Sequence, residues 1–264
     1  MRSILSLIFF FLVSPFPTLI LATDPIDIGS RRELMVDAAL TERIEGKAEL
    51  RLHHPQQREV ALTFDKPWEG NASGYPTVFK DGDVYRMYYR GHRYILDPPP
   101  LRQAQPEVVC YAESRDGIHW ERPSLGLFDW PITQDNSGNK DNNIIWRGGA
   151  ETHNFAPFLD TNPGCPSDQK YKAVGGTTAS KGLLTFKSAD GIHWSPLSEG
   201  PVVTQGAFDS HNTVFWDATH QRYSMYMRYF SEDNFKGLRS IGFSYSTDFK
   251  TWTTPVGLSY PDSP

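Results

Sequence analysis

Three acids stand just ahead of aromatic stretches of the chain: Glu69 in Trp68-Glu69-Gly70-Asn71, Glu151 in Gly149-Ala150-Glu151-Thr152-His153-Asn154, and Asp209 in Gly206-Ala207-Phe208-Asp209-Ser210-His211-Asn212. The last two segments present an acid, a small hydroxyl, a His and an Asn in the same order. Groups of these types can transfer protons when they are brought together, and a His beside a carboxylate changes its proton affinity. Each also has a plainer use: an acid before a strand caps a turn or meets an Arg, and a His there packs between sheets. Arg90 and Arg228 end two later stretches of shared pattern, Y-x-M-Y-x-R, and add candidate cations.

The elements that would position these residues repeat along the chain. Ser114-Arg-Asp-Gly-Ile-His-Trp120, Ser188-Ala-Asp-Gly-Ile-His-Trp194 and Ser246-Thr-Asp-Phe-Lys-Thr-Trp252 share one tail, with the Trp positions 74 and 58 residues apart. That spacing suits a unit of about four strands, as in a propeller blade. Alternating strands joined by turns precede each tail, most plainly Tyr75–Phe79, the turn Lys80-Asp81-Gly82-Asp83, and Val84–Arg90. The pattern predicts first strands near 75–80, 155–160 and 213–217, second strands at 84–90, 171–175 and 222–228, and third strands at 108–114, 183–188 and 240–246. Fourth strands are expected to begin near each repeat Trp. Antiparallel order then places the starts of the first strands, with all three acids, at one end of every unit and the tails at the other. The tails read as structural, Asp capping a tight turn and Trp packing between units. The long connections 91–107 and 123–150 lie at the acids' end, where binding loops gather on a rigid scaffold.

Composition agrees with an all-β chain. Of 264 residues, 13% are aromatic, and 21 Gly with 20 Pro suit many short strands and turns. A net charge of −5 leaves no basic patch of the kind that binds nucleic acid. Residues 1–22, with Arg2, an apolar run from Ile4 to Val13 and Ala22, read as a secretory signal, so a secreted or periplasmic location is expected, with no membrane partner beyond that segment. A retained anchor is the competing reading. Export permits Cys110 and Cys165 to pair, and two free thiols fit equally well. Asn71-Ala72-Ser73 is a glycosylation sequon.

On the three S-x-D-(G)-x-x-W tails, the F-x-D turn after each first strand and the acid before it, residues 60–260 resemble the five-bladed β-propeller glycoside hydrolases, the group that includes families 32, 43, 68 and 130. The chain lacks the W-M-N-D-P-N-G signature of invertase-type enzymes, and its tails lack the residue a sialidase Asp-box places between Asp and Gly. The resemblance implies a single propeller domain over 23–264 with about three to four of five blades, hence a partial chain, and residues 27–66, through Glu33–Asp37 and Ala48–Leu52, as a source of strands for a closing blade.

The resemblance also implies carboxylates projecting into a central funnel, where one protonated and one ionised group cleave a glycosidic bond. The matching positions are Glu69, Glu151 and Asp209, which should converge on one cavity. His153, His211, Asn154 and Asn212 would bind sugar hydroxyls, Arg90 and Arg228 would grip an acidic substituent, and Trp68, with Trp146, Tyr89 and Trp130, would stack on sugar faces. Two His without a third ligand make no transition-metal site, so no cofactor is expected, though a structural calcium ion is compatible with the fold. The partner is thus a carbohydrate, and the sequence assigns no oligomeric state. The expected activity is an exported glycoside hydrolase acting on a poly- or oligosaccharide. A non-catalytic propeller that binds glycan or protein is the alternative, and a family-130-like phosphorylase is disfavoured by export.

Overall fold

The structure is a computed structural model that describes residues 25–29, 33–34, 40–131, 138–232 and 236–259. It is all-β, and the helices among the described residues are three short 3-10 turns. The first sheet is built from β1 (Gly74–Asp81), β2 (Val84–Gly91), β5 (Val108–Ser114) and β6 (Ile144–Arg147), in that spatial order, with a small hairpin of β3 (Tyr94–Ile95) and β4 (Arg102–Gln103) between β2 and β5. The second contains β7 (Ala156–Leu159), β8 (Tyr171–Gly175), β9 (Leu184–Ser188) and β10 (Ser195–Pro196). The third contains β11 (Thr213–Asp217), β12 (Arg222–Glu232), β13 (Lys236–Ser246) and β14 (Val256–Gly257). Every pairing within these sheets is antiparallel between chain neighbours, so each sheet is a four-stranded meander of the propeller-blade type. The blades fall within one compact unit, Glu59–Pro264, and Met1–Arg58 forms another.

The repeated tails make the turns that close the third strands. Asp116 Oδ1 accepts the backbone N–H groups of Ile118 and His119 at 2.8 Å each, Ser114 Oγ accepts that of Gly117 at 2.9 Å, and Trp120 Nε1 donates back to the Gly117 carbonyl at 3.1 Å. Asp190 and Trp194 repeat this arrangement, and Asp248 repeats the Asp part. The position after the Asp is left-handed in all three, with φ of 78° at Gly117, 81° at Gly191 and 62° at Phe249. Glycine accepts that conformation without cost. Phe249 accepts it because its ring is fully buried against Phe158 and Tyr223, at centroid distances of 5.7 and 5.0 Å.

Blades cohere through apolar clusters and through the aspartates that end their first strands. Between the first and second blades pack Tyr88, Tyr111, Phe155 and Phe186, with Trp194 edge-on to Phe155 at 5.2 Å. Between the second and third pack Phe158, Val174, Val214, Met225 and Phe249. Asp81, at the end of β1, binds Lys170 at 3.1 Å and the Tyr171 hydroxyl, both of the second blade. Asp160, after β7, binds the Tyr223 hydroxyl of the third blade at 2.8 Å and the buried Lys172 ammonium. The F-x-D turn is thus a latch from one blade to the next. Burial works against the charge on Asp81, but bonds from Tyr171 and Lys170 outweigh it and hold the carboxyl below its usual range.

Strand positions follow the alternation closely, except that β12 and β13 each run four residues longer at their shared end, and two further differences stand out. The fourth strand of the first blade is Ile144–Arg147, inside the stretch expected to be a connection, whereas the chain after Trp120 makes a single bridge, Glu113 to Glu121, before Pro123 interrupts it. The apolar Ile144 and Ile145, both fully buried, decide the matter because they fill the blade's faces. Residues 48–52, read as strand candidates, form no strand, and Leu52 is 83% exposed, so burial gives no reason to pair. Residues 35–37 of the other candidate and the signal at 1–22 lie outside the described residues. Cys110 and Cys165 are both free, the first buried in the first blade and the second beside Lys172.

Candidate functional site

The inner strands β1 and β11 both lie beside β7, so the segments preceding them meet at one end of the blades. GAETHN becomes a 3-10 turn, Ala150–Asn154, leading into β7. GAFDSHN leads into β11, and Glu107 immediately precedes β5. At this end, imidazole and carboxylates from three blades are joined. His153 Nδ1 lies 2.9 Å from Glu107 Oε1, and His153 Nε2 lies 2.9 Å from Asp209 Oδ1. Only the imidazolium form can donate from both nitrogens. The bond to Glu107 raises the proton affinity of His153 above the usual range, Asp209 adds to this, and burial and Arg90 oppose it.

Arginines close the ends of this chain. Arg90 Nη1 lies 3.4 Å from Glu107 Oε1 and 2.9 Å from His153 Nδ1, and Arg228 Nη2 lies 3.6 Å from Asp209 Oδ2. Burial penalises charge on Glu107, yet the His153 hydrogen bond and the two neighbouring cations outweigh it, so its carboxyl sits below its usual range. His92, fully buried with its Nδ1 3.6 Å from Glu107, is held below the usual range by burial and by Arg90 and His153. Asp209 is the open member, its side chain 58% exposed against 16% for Glu107.

Tyr75 forms the wall between the two histidines. Its ring lies 5.5 Å from His153 and 6.1 Å from His211, with the Arg90 guanidinium 4.8 Å above it. Tyr75 has φ of 52°, at a bulge in the β1–β2 ladder between Gly74 and Thr77. A non-glycine residue in that region costs of order 1–3 kcal/mol and persists where its surroundings fix it, commonly beside functional groups. His211 differs from His153: its Nε2 faces the Thr77 hydroxyl at 3.2 Å, and burial lowers its proton affinity.

The three acids singled out by position occupy three different environments. Glu69 is fully buried in the first blade, accepting from Tyr89 Oη at 2.6 Å and from the Lys66 N–H at 2.8 Å, with Arg122 Nε at 2.9 Å. It is a core ion pair, and no face of it is open to a ligand. Glu151 folds back on its own turn, accepting from Gly149 N at 2.9 Å and Trp146 Nε1 at 3.2 Å. It lines a separate cavity of about 450 Å³ with Trp146, Phe186 and Glu199. Only Asp209 reaches the cluster, because its loop points across the start of β7.

The remaining candidates divide the same way. Arg90, Arg228, His153 and His211 are at the site. Asn154 and Asn212 are fully buried and serve the backbone instead: Asn154 Nδ2 donates to the carbonyls of Gly176, Phe208 and Ser210, while its Oδ1 accepts from Gly176 N at 2.8 Å. Asn212 Nδ2 donates to Phe208 and Ser210 at 3.1 Å each. Trp68 donates to Asn143 at 2.6 Å and packs on the first blade's core, so it offers no free ring. Glu107 and Tyr75 were not singled out in the sequence, although Glu107 ends the long connection marked as binding territory. Among the described residues no group of three or more His, Cys, Asp or Glu is arranged to hold a metal ion.

No family model matches the chain. Two proteins of Mycobacterium tuberculosis, the uncharacterized proteins Rv1502 and MT1551, are each 29% identical to it, over 178 and 172 residues respectively, 63% of this chain in both cases. The chain spans about half the length of these curated relatives, 49% of each. Among solved structures, it is similar to an N-acetylgalactosamine deacetylase from F. plautii (TM-score 0.47, 15% identity, 72% of this chain and 54% of that one). It is also similar to the Bombyx mori GH32 β-fructofuranosidase BmSUC1 (TM-score 0.48, 13% identity, 75% and 37%) and to a fructofuranosidase from Schwanniomyces occidentalis (0.47, 16%, 74% and 36%).

Proposed function

We propose that these blades carry the reactive end of an exported carbohydrate-active propeller that hydrolyses glycosidic bonds. The observation that carries the reading is the bridge of Glu107, His153 and Asp209 across three blades, at the end where the inner strands begin. Glycoside hydrolysis needs one group that gives a proton to the leaving oxygen and one ionised carboxylate. The proton on His153 Nε2 passes to the exposed Asp209 and from it to the leaving glycosidic oxygen as the carbon–oxygen bond breaks, while a water attacks the anomeric carbon and its proton returns to His153. Glu107, one imidazole ring and two hydrogen bonds away, is the carboxylate kept ionised. Arg90, 3.4 Å from Glu107, and Tyr75, edge-on to His153 at 5.5 Å, border the pair.

The test is hydrolysis of a glycan library by the wild type, Asp209→Asn and Glu107→Gln. Each substitution should lower turnover by roughly 10²–10⁴-fold, the usual contribution of one proton-transferring group, on any substrate the wild type cleaves. Activity unchanged in Asp209→Asn removes Asp209 from the chemistry. Glycan binding without hydrolysis by the wild type replaces this reading with that of a non-catalytic glycan-binding propeller.

A further inference from the structure

The turn Ala150–Asn154 carries two side chains to different places: His153 joins the reactive cluster, and Glu151 lines the cavity of about 450 Å³. Trp146 belongs to β6 of the first blade, Phe186 to β9 and Pro196 to β10 of the second, so two blades that pack on one another form the cavity's walls. We propose that this cavity is a subsite for a sugar that carries a free, protonated amine. The inference rests on the carbohydrate reading above and names a substrate class for it.

The carboxylate of Glu151 is the first reason. The residue is only 8% exposed, and one oxygen, Oε1, takes both of its hydrogen bonds, from Gly149 N and Trp146 Nε1. The other, Oε2, takes none and stays open to the cavity. A carboxylate oxygen so deeply set is costly without a donor, and a ligand that donates to it relieves the cost. Two glycines keep the space in which this group sits. A Cβ at Gly148 would stand 2.6 Å from Oε1, and one at Gly149 would stand 2.9 Å from Oε2.

The chemistry of the walls is the second. Among the described residues the lining holds two carboxylates, Glu151 and the exposed Glu199, and no cation. Arg147 lies over the Phe128 ring at 5.3 Å, outside this lining. A neutral sugar leaves both charges unanswered, whereas an ammonium donates to Oε2 and balances them. Four of the seven lining residues are apolar, so the walls do not form the oxygen cage that a bare divalent ion needs. Trp146, a sugar-stacking candidate by its type, supplies the other half of the recognition. Its indole lies against Phe155 at 6.1 Å and edge-on to Phe186 at 5.3 Å, which fixes it as a wall for a sugar ring and for the cation that ring carries. The volume lies within the range of about 300–1,000 Å³ usual for small-ligand sites.

The experiment titrates the 264-residue chain by calorimetry with a chitosan tetrasaccharide and with its fully N-acetylated chitin counterpart, at a pH of about 6, where the amines are protonated. The amine form should bind about tenfold more tightly, the effect of one charge-assisted pair. Glu151→Gln should abolish the preference, because the amide keeps an acceptor for Gly149 and Trp146 and presents a donor to the ligand. Glu199→Gln, on an exposed side chain with no ion pair among the described residues, should reduce it by about threefold. Equal affinity for the two tetrasaccharides, no measurable binding of the amine form, or a preference that survives Glu151→Gln overturns the subsite. Cyclohexylammonium binding as tightly as the chitosan tetrasaccharide overturns it too, since the amine would then be recognised without a sugar. Hydrolysis of glycans with no amine preference sinks the subsite alone, whereas amine-selective binding without any hydrolysis sinks the glycosidase reading alone.

Discussion

GAETHN and GAFDSHN differ in their contacts although they are near copies in sequence. Their asparagines do the same work, tying backbone at the starts of β7 and β11. Their acids do not: Glu151 bends back to its own turn, while Asp209 crosses to the neighbouring blade's His153. Their histidines differ most. His153 is flanked by two carboxylates and holds its proton more firmly than usual, and His211, facing a threonine hydroxyl in a buried setting, holds its proton less firmly. A duplicated element keeps its scaffold contacts and acquires its chemistry from whatever the neighbouring blade presents. The difference teaches that the partner residues, here Glu107 and Thr77, decide which histidine holds its proton.

Substitutions can break this comparison at several points. The largest effect is expected at the shared asparagines. Asn154→Ala strands the Gly176 N–H and carbonyl and leaves the Phe208 and Ser210 carbonyls to Asn212, and should cost about 2–3 kcal/mol in urea unfolding. Asn212→Ala, whose two acceptors keep their bonds from Asn154, should cost about 1 kcal/mol. Equal losses would mean that Asn154 is no clamp between the copies.

Next comes Glu107→Gln, which should pull the His153 titration down towards that of an ordinary imidazole, followed by NMR of the ring protons, and leave His211 unmoved. The pH dependence of stability follows with defined signs. The folded value of His153 is raised, so its contribution is fully present below 6.5 and is lost as pH rises through that folded value. Glu107 is lowered, so its contribution is present above 4.5 and is lost as pH falls through its folded value. His211 is lowered, so the fold is penalised as pH drops below 6.5. Glu107→Gln should therefore remove the loss of stability on the alkaline side of 6.5 and retain the His211 penalty on the acid side. An unchanged alkaline arm would show that His153 is not held by Glu107. The smallest effect is expected from Thr77→Val, a few tenths of a kcal/mol at neutral pH, since His211 loses one partly exposed hydrogen bond. A loss comparable to that of Asn154→Ala would make Thr77 a structural post.

The repeat made most of the fold legible. Val84–Gly91, Val108–Ser114 and Tyr171–Gly175 fall within a residue of the expected spans, the last two buried on both faces as central strands of their blades. Ile144–Arg147 was not legible, since the Trp that announces the fourth strand in the other blades here precedes a proline-broken loop. At the site the same reliance on repetition misled. Glu69 and Glu151 match Asp209 by position, yet burial and a back-folded turn take them elsewhere. Glu107 has no counterpart in the other blades, so no pattern marks it. Its place at the end of the 91–107 connection was the one available signal, and Tyr75 gave none, because a left-handed backbone at a tyrosine is set by packing around it.

The bridge through His153 also measures the molecule. Glu107 belongs to the first blade, His153 to the second and Asp209 to the third, and each joint is 2.9 Å long. Should an Asp81 or Asp160 latch slip at the far end, one sheet would tilt on its neighbour and lengthen a joint, and the imidazole would release its proton more easily. One titrating ring thus serves as a gauge of how three sheets are seated, readable at a single resonance in the intact protein.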